Sequence, residues 1–155
     1  MNAERTHGAS VEQLYRELTE AESAATDEDA TGSAAVVDGV TGQLFPEESF
    51  QFDEELVKHS LEELLLVLVE LREADTHGKG LMDDLSTLFD ARLSPGTVYP
   101  RLHDLEEEEL LEMHELVRTK EYRIDDADAA HEQVETAMRQ HLALGFVFYS
   151  ALQDL

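Results

Sequence analysis

The chain has no cysteine and no tryptophan, only three prolines, and a single isoleucine, Ile124. Without cysteine there are no disulfides, thiolate metal sites, nucleophilic thiols or thiol redox switches. Long hydrophobic runs are missing too. The longest, Leu142 to Tyr149 ("LALGFVFY"), is far short of the ~20 apolar residues that span a bilayer. The first ten residues, "MNAERTHGAS", show no basic-then-apolar signal pattern, so a cytoplasmic location and no membrane partner are expected. Positive charge is the scarcest commodity. Lys and Arg number 11 against 36 Asp and Glu, for a net charge of -25.

Three explanations fit such acidity: a disordered acidic tail, a DNA mimic, or adaptation to molar salt. The acids run along the whole chain, which argues against a tail. The three lysines (Lys58, Lys79, Lys120) against eight arginines and the near absence of isoleucine resemble proteins of salt-accumulating halophiles. The few bases are not evenly placed. More than half of them fall between residues 79 and 123.

Within that stretch the acids are cleared from Ala91 to His103 ("ARLSPGTVYPRLH") and resume at Asp104. Ser94-Pro95 is a helix start: serine caps, and proline at the first position has no amide to leave unpaired. Pro100 is tolerated if regular helix begins at Thr97, and a bent start is expected either way. Val98, Leu102 and Leu105 then share an inward face. Thr97, Arg101 and Asp104 are assigned the opposite one, flanked by Tyr99 and His103.

Other elements follow from spacing. Ser10–Glu22 predicts a short amphipathic helix, and Ala24–Ser33 a polar acidic linker. Residues 36–52 are either extended against the core or disordered. "DEELVKHSLEELLLVLVELREAD", from Asp53, predicts one helix with Leu56, Leu61, Leu64, Leu65, Leu68 and Leu71 in its stripe and Asp53 as cap. "GLMDDLSTLFDARL" is a second helix. Leu110–Val117 and Glu121–Ile124 are two strands joined by a turn through "RTK". A long helix closes the chain. The order predicts a mainly α fold with a small β wing: a winged helix-turn-helix over 53–126, an acidic N-terminal extension over 1–52, and a C-terminal dimerisation helix over 127–155.

The stretch "LSPGTVYPRLHDLEEEELL" resembles the PadR family of winged-helix transcription regulators, whose pattern is LSPGTLYPxLxxLExxGL followed by a two-stranded wing. Leu93, Ser94, Pro95, Gly96, Thr97, Tyr99, Pro100, Leu102, Leu105, Glu106 and Leu110 match. His77-Gly78 and Leu81 resemble the family's HGYEL, and "TKEYRID" its wing strand KxYxLT; the likeness covers roughly residues 60–126. Three positions depart from it. Glu109 replaces the glycine of EEGL, Lys79 and Gly80 replace Tyr and Glu of HGYEL, and the wing keeps only Arg118, Lys120 and Arg123 as bases.

The resemblance implies a homodimer on a pseudo-palindromic double-stranded DNA operator, usually as a repressor. The expected DNA-binding residues are Lys79, Arg92, Ser94, Thr97, Tyr99, Arg101, His103, Arg118 and Lys120. Three roles are open to Arg101: a guanine edge, a phosphate, or a surface ion pair with Asp104 or Glu108. Tyr99 is open to DNA contact or to packing. Dimerisation is assigned to Val134, Met138, His141, Leu144, Phe148 and Leu152, a stripe on the last helix. The seven histidines lack HExxH-type spacing, no phosphate loop or nucleophile motif is present, and neither enzyme activity nor a metal is expected. Potassium ions loosely held by carboxylates are the only cofactor considered. The rival reading is an acidic winged helix that binds protein or mimics DNA; a mimic would carry carboxylates where Ala91–His103 has none.

Overall fold

A computed structural model describes Arg16 and residues 32–155 apart from Glu73; the helix expected over residues 10–22 lies, except for Arg16, outside the described residues. Among the described residues are six α-helices and one two-stranded sheet. These are α1 (Gly32–Leu44), α2 (Glu54–His59), α3 (Leu61–Leu71), α4 (Gly78–Phe89), α5 (Pro95–Glu107), β1 (Leu111–Glu115), β2 (Lys120–Ile124) and α6 (Ala127–Ala151). Helix, helix, helix, hairpin, long helix is the winged-helix order. None of the described helices is long and apolar enough to cross a membrane.

Helix α3 is the centre. Leu65, Leu66 and Leu68 are almost wholly buried, as are Leu81 and Leu85 of α4, Val98, Leu102 and Leu105 of α5, and Leu111 of β1. Each such leucine contributes roughly 1.5–3 kcal/mol by leaving water. The helix packs against α4, α5, α6 and β2.

The single helix expected from Asp53 is two. Asp53 caps as predicted, its carboxylate accepting from the Leu56 amide at 3.0 Å. At Ser60 the chain leaves helical geometry (φ -107°, ψ 20°), and its amide is shared between the carbonyls of Leu56 and Val57. The break turns Val57 and Leu61 into the core and leaves Leu56, predicted to be inside, 54% exposed.

Residues 36–52 are neither disordered nor simply extended, and the expected linker stops short of Ser33. Helix α1 covers 32–44 and lies on α3 and α4. After it a ladder of rings leads inward: Phe45 stacks on Phe50 at 4.6 Å, Phe50 meets Phe52 edge-on at 5.0 Å, and Phe52 meets Phe89 at 5.1 Å.

The hairpin is antiparallel, with Leu111 opposite Ile124 and Met113 opposite Tyr122. The wing turn is closed by the Leu116 amide on the Thr119 carbonyl at 2.7 Å. The sequence did not reveal a third participant. Tyr122 donates its amide to the Thr76 carbonyl at 3.0 Å, and His77 bridges Glu121, so the lead-in to α4 pairs with β2. This brings the start of α4 beside the wing.

Helix α6 starts on Asp126, whose carboxylate accepts from the Ala129 amide at 3.0 Å. Its 25 residues reach about 37 Å at 1.5 Å each. Only its first turns touch the core, through Ala129, Ala130 and Val134.

Candidate nucleic-acid interface

Helix α5 begins at Pro95, two residues earlier than Thr97, with Ser94 in the cap position. The Ser94 carbonyl, not its side chain, takes the Thr97 amide at 2.9 Å, and its hydroxyl lies 3.2 Å from the Thr97 hydroxyl. Pro100 is therefore inside the helix, and having no amide it cannot donate to the carbonyl of exposed Gly96.

With Val98, Leu102 and Leu105 buried, the helical phase of 100° per residue fixes the other faces. The outermost face is Gly96, Pro100, His103 and Glu107, all exposed. The expected outward set of Thr97, Arg101 and Asp104 is a flank instead, with Thr97 and Asp104 half-buried. Tyr99 occupies the other flank. The sequence reading had the inward face right and rotated the rest.

The two flanks meet different neighbours. On one, the Arg101 guanidinium donates to Glu62 of α3 at 3.1 Å; this partner replaces the expected Asp104 or Glu108. On the other, Tyr99 lies over Gly78 at the start of α4. A β-carbon on Gly78 would stand 2.5 Å from the Tyr99 hydroxyl, so glycine lets the ring lie where it does and a larger residue would shift it. Tyr99 remains 42% exposed, which leaves one edge for packing and one for a ligand.

That second flank opens into a cleft of about 580 Å³ between α4, α5 and the wing, lined by His77, Gly78, Lys79, Tyr99 and residues 115–120. Four of the nine sequence-nominated contact residues line it: Lys79, Tyr99, Arg118 and Lys120. Lys79, Arg118 and Lys120 form no ion pair among the described residues. The cleft thus carries three cations without an ion pair among the described residues. Among the described residues Glu115 is the one carboxylate that lines the cleft.

The remaining nominees sit apart. Arg92 is exposed, its amide donating to Glu54 at 3.3 Å. His103 lies 3.3 Å from Glu107 one turn on.

His77, which was read only as a family match, positions the cleft. Its Nδ1 accepts from the Gly80 amide at 2.9 Å, capping α4. A histidine just before a glycine-rich helix start was the available signal. Tyr122, beneath the cleft, has its pKa raised by burial first, then by Glu106 and Tyr99.

Glu109 adopts φ 60°, the left-handed geometry expected where the family pattern has glycine. The Leu110 amide then reaches back to the Leu105 carbonyl at 3.0 Å and closes α5. Asp125 and Asp126 bind the carbonyls of Leu110 and Glu109, which ties the hairpin to that end.

On α6 the nominated stripe splits. Val134 is half-buried in the core edge, and His141 Nε2 meets the Ser60 hydroxyl at 3.1 Å. Met138, Leu144 and Phe148 are about half or more exposed, as are Val147, which was not nominated, and Leu152, which lies in the 3-10 turn after α6. Among the described residues no group of His, Asp or Glu is arranged for a metal ion.

Comparison with known proteins agrees with this geometry. Residues 65–131 match the "Transcriptional regulator PadR-like family". The chain is 43% identical over 94 residues to "Transcriptional activator GvpE" of Haloferax mediterranei, covering 61% of this chain and 48% of that protein. It is 34% identical over 129 residues to "Transcriptional activator GvpE1" of Halobacterium salinarum, covering 83% and 66%. It is 39% identical over 101 residues to "Transcriptional activator GvpE2" of the same organism, covering 65% and 52%. The aligned part therefore spans about half to two thirds of each relative. All three are named transcriptional activators, and their haloarchaeal sources are in keeping with the halophile-type composition.

Proposed function

We propose, from the premise that residues 65–131 are a PadR-like winged-helix domain, that this chain binds a pseudo-palindromic DNA operator as a homodimer in the salt-rich cytoplasm. The observation that carries the reading is the cleft, where Lys79, Arg118 and Lys120, without an ion pair among the described residues, gather beside Tyr99. They adjoin a helix cleared of acids from Ala91 to His103. In a protein of net charge -25, a thirteen-residue stretch without acids beside three cations suits a polyanion.

In this reading the outward face of α5 enters the major groove. Gly96 and Pro100 let the helix backbone approach closely, while His103 on the same face and Thr97 and Arg101 from its side reach base edges. Ser94, Arg92 and the cleft residues hold phosphates, which fix register without carrying sequence information. The exposed stripe Met138, Leu144, Phe148 and Leu152 joins two copies and sets the half-site spacing.

The relatives are named activators, and on that ground we favour activation over the repression usual in the resembling family. No cofactor is proposed beyond potassium in the ion atmosphere. Selection from a random DNA library in molar potassium chloride should recover an inverted repeat. A promoter fused to that repeat should gain expression when the protein is supplied. Recovery of no sequence by correctly folded protein would refute the DNA-binding reading; lowered expression would reverse the sign.

A further inference from the structure

Helix α1 lies before the family-matched segment, and neither the match nor the sequence pattern gives it a role. It is poorly built to stand alone. Gly39 and Gly42 lie in its interior, and a β-carbon at either would meet no atom within 4 Å. Packing does not require glycine there, yet each one disfavours helix relative to alanine.

Its one buried residue is polar. The Ser33 hydroxyl donates to Asp84 Oδ2 of α4 at 3.2 Å. The same oxygen pairs with Arg72 Nη1 at 2.7 Å, in a pair whose side chains are both less than one-fifth exposed. That nitrogen also donates to the Gly80 carbonyl at 3.0 Å, while Arg72 Nε donates to Ala74. Gly80 is the residue whose amide His77 caps. The relay from α1 therefore ends one residue from Lys79 and two from Gly78, on which Tyr99 rests.

We infer that α1 is a marginally stable positioning element whose docking, through Ser33, Asp84 and Arg72, fixes the first turn of α4 and so sets how tightly the wing cleft holds a DNA phosphate. The inference rests on the DNA-binding reading. With α1 in place, Asp84 and Arg72 are shielded from water and hold the Gly80 carbonyl. With α1 lifted, the pair faces solvent and weakens, and a turn flanked by Gly78 and Gly80 yields. Only the docked fraction binds at full strength, so apparent affinity scales with that fraction. Two interior glycines keep the fraction below saturation, which leaves it adjustable.

The test uses the full chain and a duplex recovered from the random library. Ser33→Ala should weaken binding about 3–10-fold, and Ser33→Thr, which keeps the hydroxyl, should not. Adding Gly39→Ala and Gly42→Ala should restore the loss, because two such replacements favour helix about 5–30-fold. The pathway is tested by a double-mutant cycle with Lys79→Ala: Ser33→Ala should cost little in a chain already lacking Lys79. Full additivity, or Ser33→Ala binding like the unaltered chain, would overturn the inference while leaving DNA binding intact. If Ser33→Ala does not fold, the alanine pair in the unaltered chain decides alone. It touches nothing in the cleft, so tighter binding supports the inference and unchanged binding refutes it. No recovered duplex at all counts against DNA binding itself.

Discussion

Helix α5 and the wing cleft hold similar sets of side chains and treat their charges in opposite ways. On α5, Arg101 is tied to Glu62 and His103 lies beside Glu107. In the cleft, Lys79, Arg118 and Lys120 have no carboxylate partner among the described residues. Among the described residues Arg72 and Arg101 are held in ion pairs, and their positions explain why. Helix α5 lies against α3, whose exposed edge carries Glu62, so its arginine is held. The wing projects, and the pairing of β2 with the lead-in to α4 brings cations together. Held cations suit orientation; unpaired ones suit attraction.

The largest effect should come from removing the second copy of both regions at once. Phe148→Asp places a charge in the exposed stripe of α6 and should leave monomers. One half-site then binds without the other, and affinity for the full repeat should fall at least about a hundredfold. Light scattering and binding to the repeat check this. An unaltered chain that is monomeric at micromolar concentration in high salt would remove the premise.

Next in size are the single contacts, where the two regions should part company. Arg101→Ala should cost about 1–3 kcal/mol and relax preference at one base position. Lys120→Ala should weaken all sequences nearly alike, because phosphates are the same everywhere. Parallel library selections with each variant give both readouts. If Arg101→Ala changes neither affinity nor consensus, Arg101 belongs to Glu62 alone and reading falls to Thr97 and His103.

The comparison also shows what the sequence could and could not yield. The inward face of α5, the left-handed Glu109, the cap at Asp53 and the hairpin were legible because each depends on local spacing or one residue's backbone preference. The pairing of Arg101 with Glu62 was not, since 39 residues separate them and a local reading sees only Asp104 and Glu108. Thr76 and His77 beside β2 were missed because one bridge and one hydrogen bond leave no alternation to detect. Helix α1 escaped because its stabilisation lies in tertiary contact: three glycines in thirteen residues read as loop until α3 and α4 are beneath them. The break at Ser60 was hidden by an apolar stripe that continues through it.

A smaller effect concerns the end of α5, and it leaves both regions in place. Glu109 holds φ 60° without the freedom of glycine. Glu109→Gly removes that cost and should stabilise the fold by about 1 kcal/mol, visible as a melting temperature higher by a few degrees. Base preference should not change, because residue 109 is beyond the helix end that faces DNA. A shift in consensus would mean that the tie between this end and the hairpin sets the angle of the wing.

The smallest expected change is in the response to salt, and it follows from the contrast between the regions. Unpaired cations gain affinity by releasing ions condensed on DNA, so the cleft alone would make binding fall steeply with salt, by about 0.9 logarithmic units per phosphate contact. Two effects oppose this. Repulsion between DNA and the acidic surface reaches far at low salt and is screened as salt rises. The exposed pair of Arg101 with Glu62 is screened as well, which frees the guanidinium for a base edge just as the phosphate contacts weaken. Binding should therefore stay level or strengthen between about 0.5 M and 2 M potassium chloride, the range in which the contacts of one region replace those of the other. Circular dichroism across the same series separates any gain that comes from folding. The Glu62→Gln variant, whose arginine is already free, should lose affinity with salt more steeply than the unaltered chain. Equal steep slopes in the two proteins, with the fold intact, would mean that the cleft alone sets the salt response and that the pairing on α5 has no part in it.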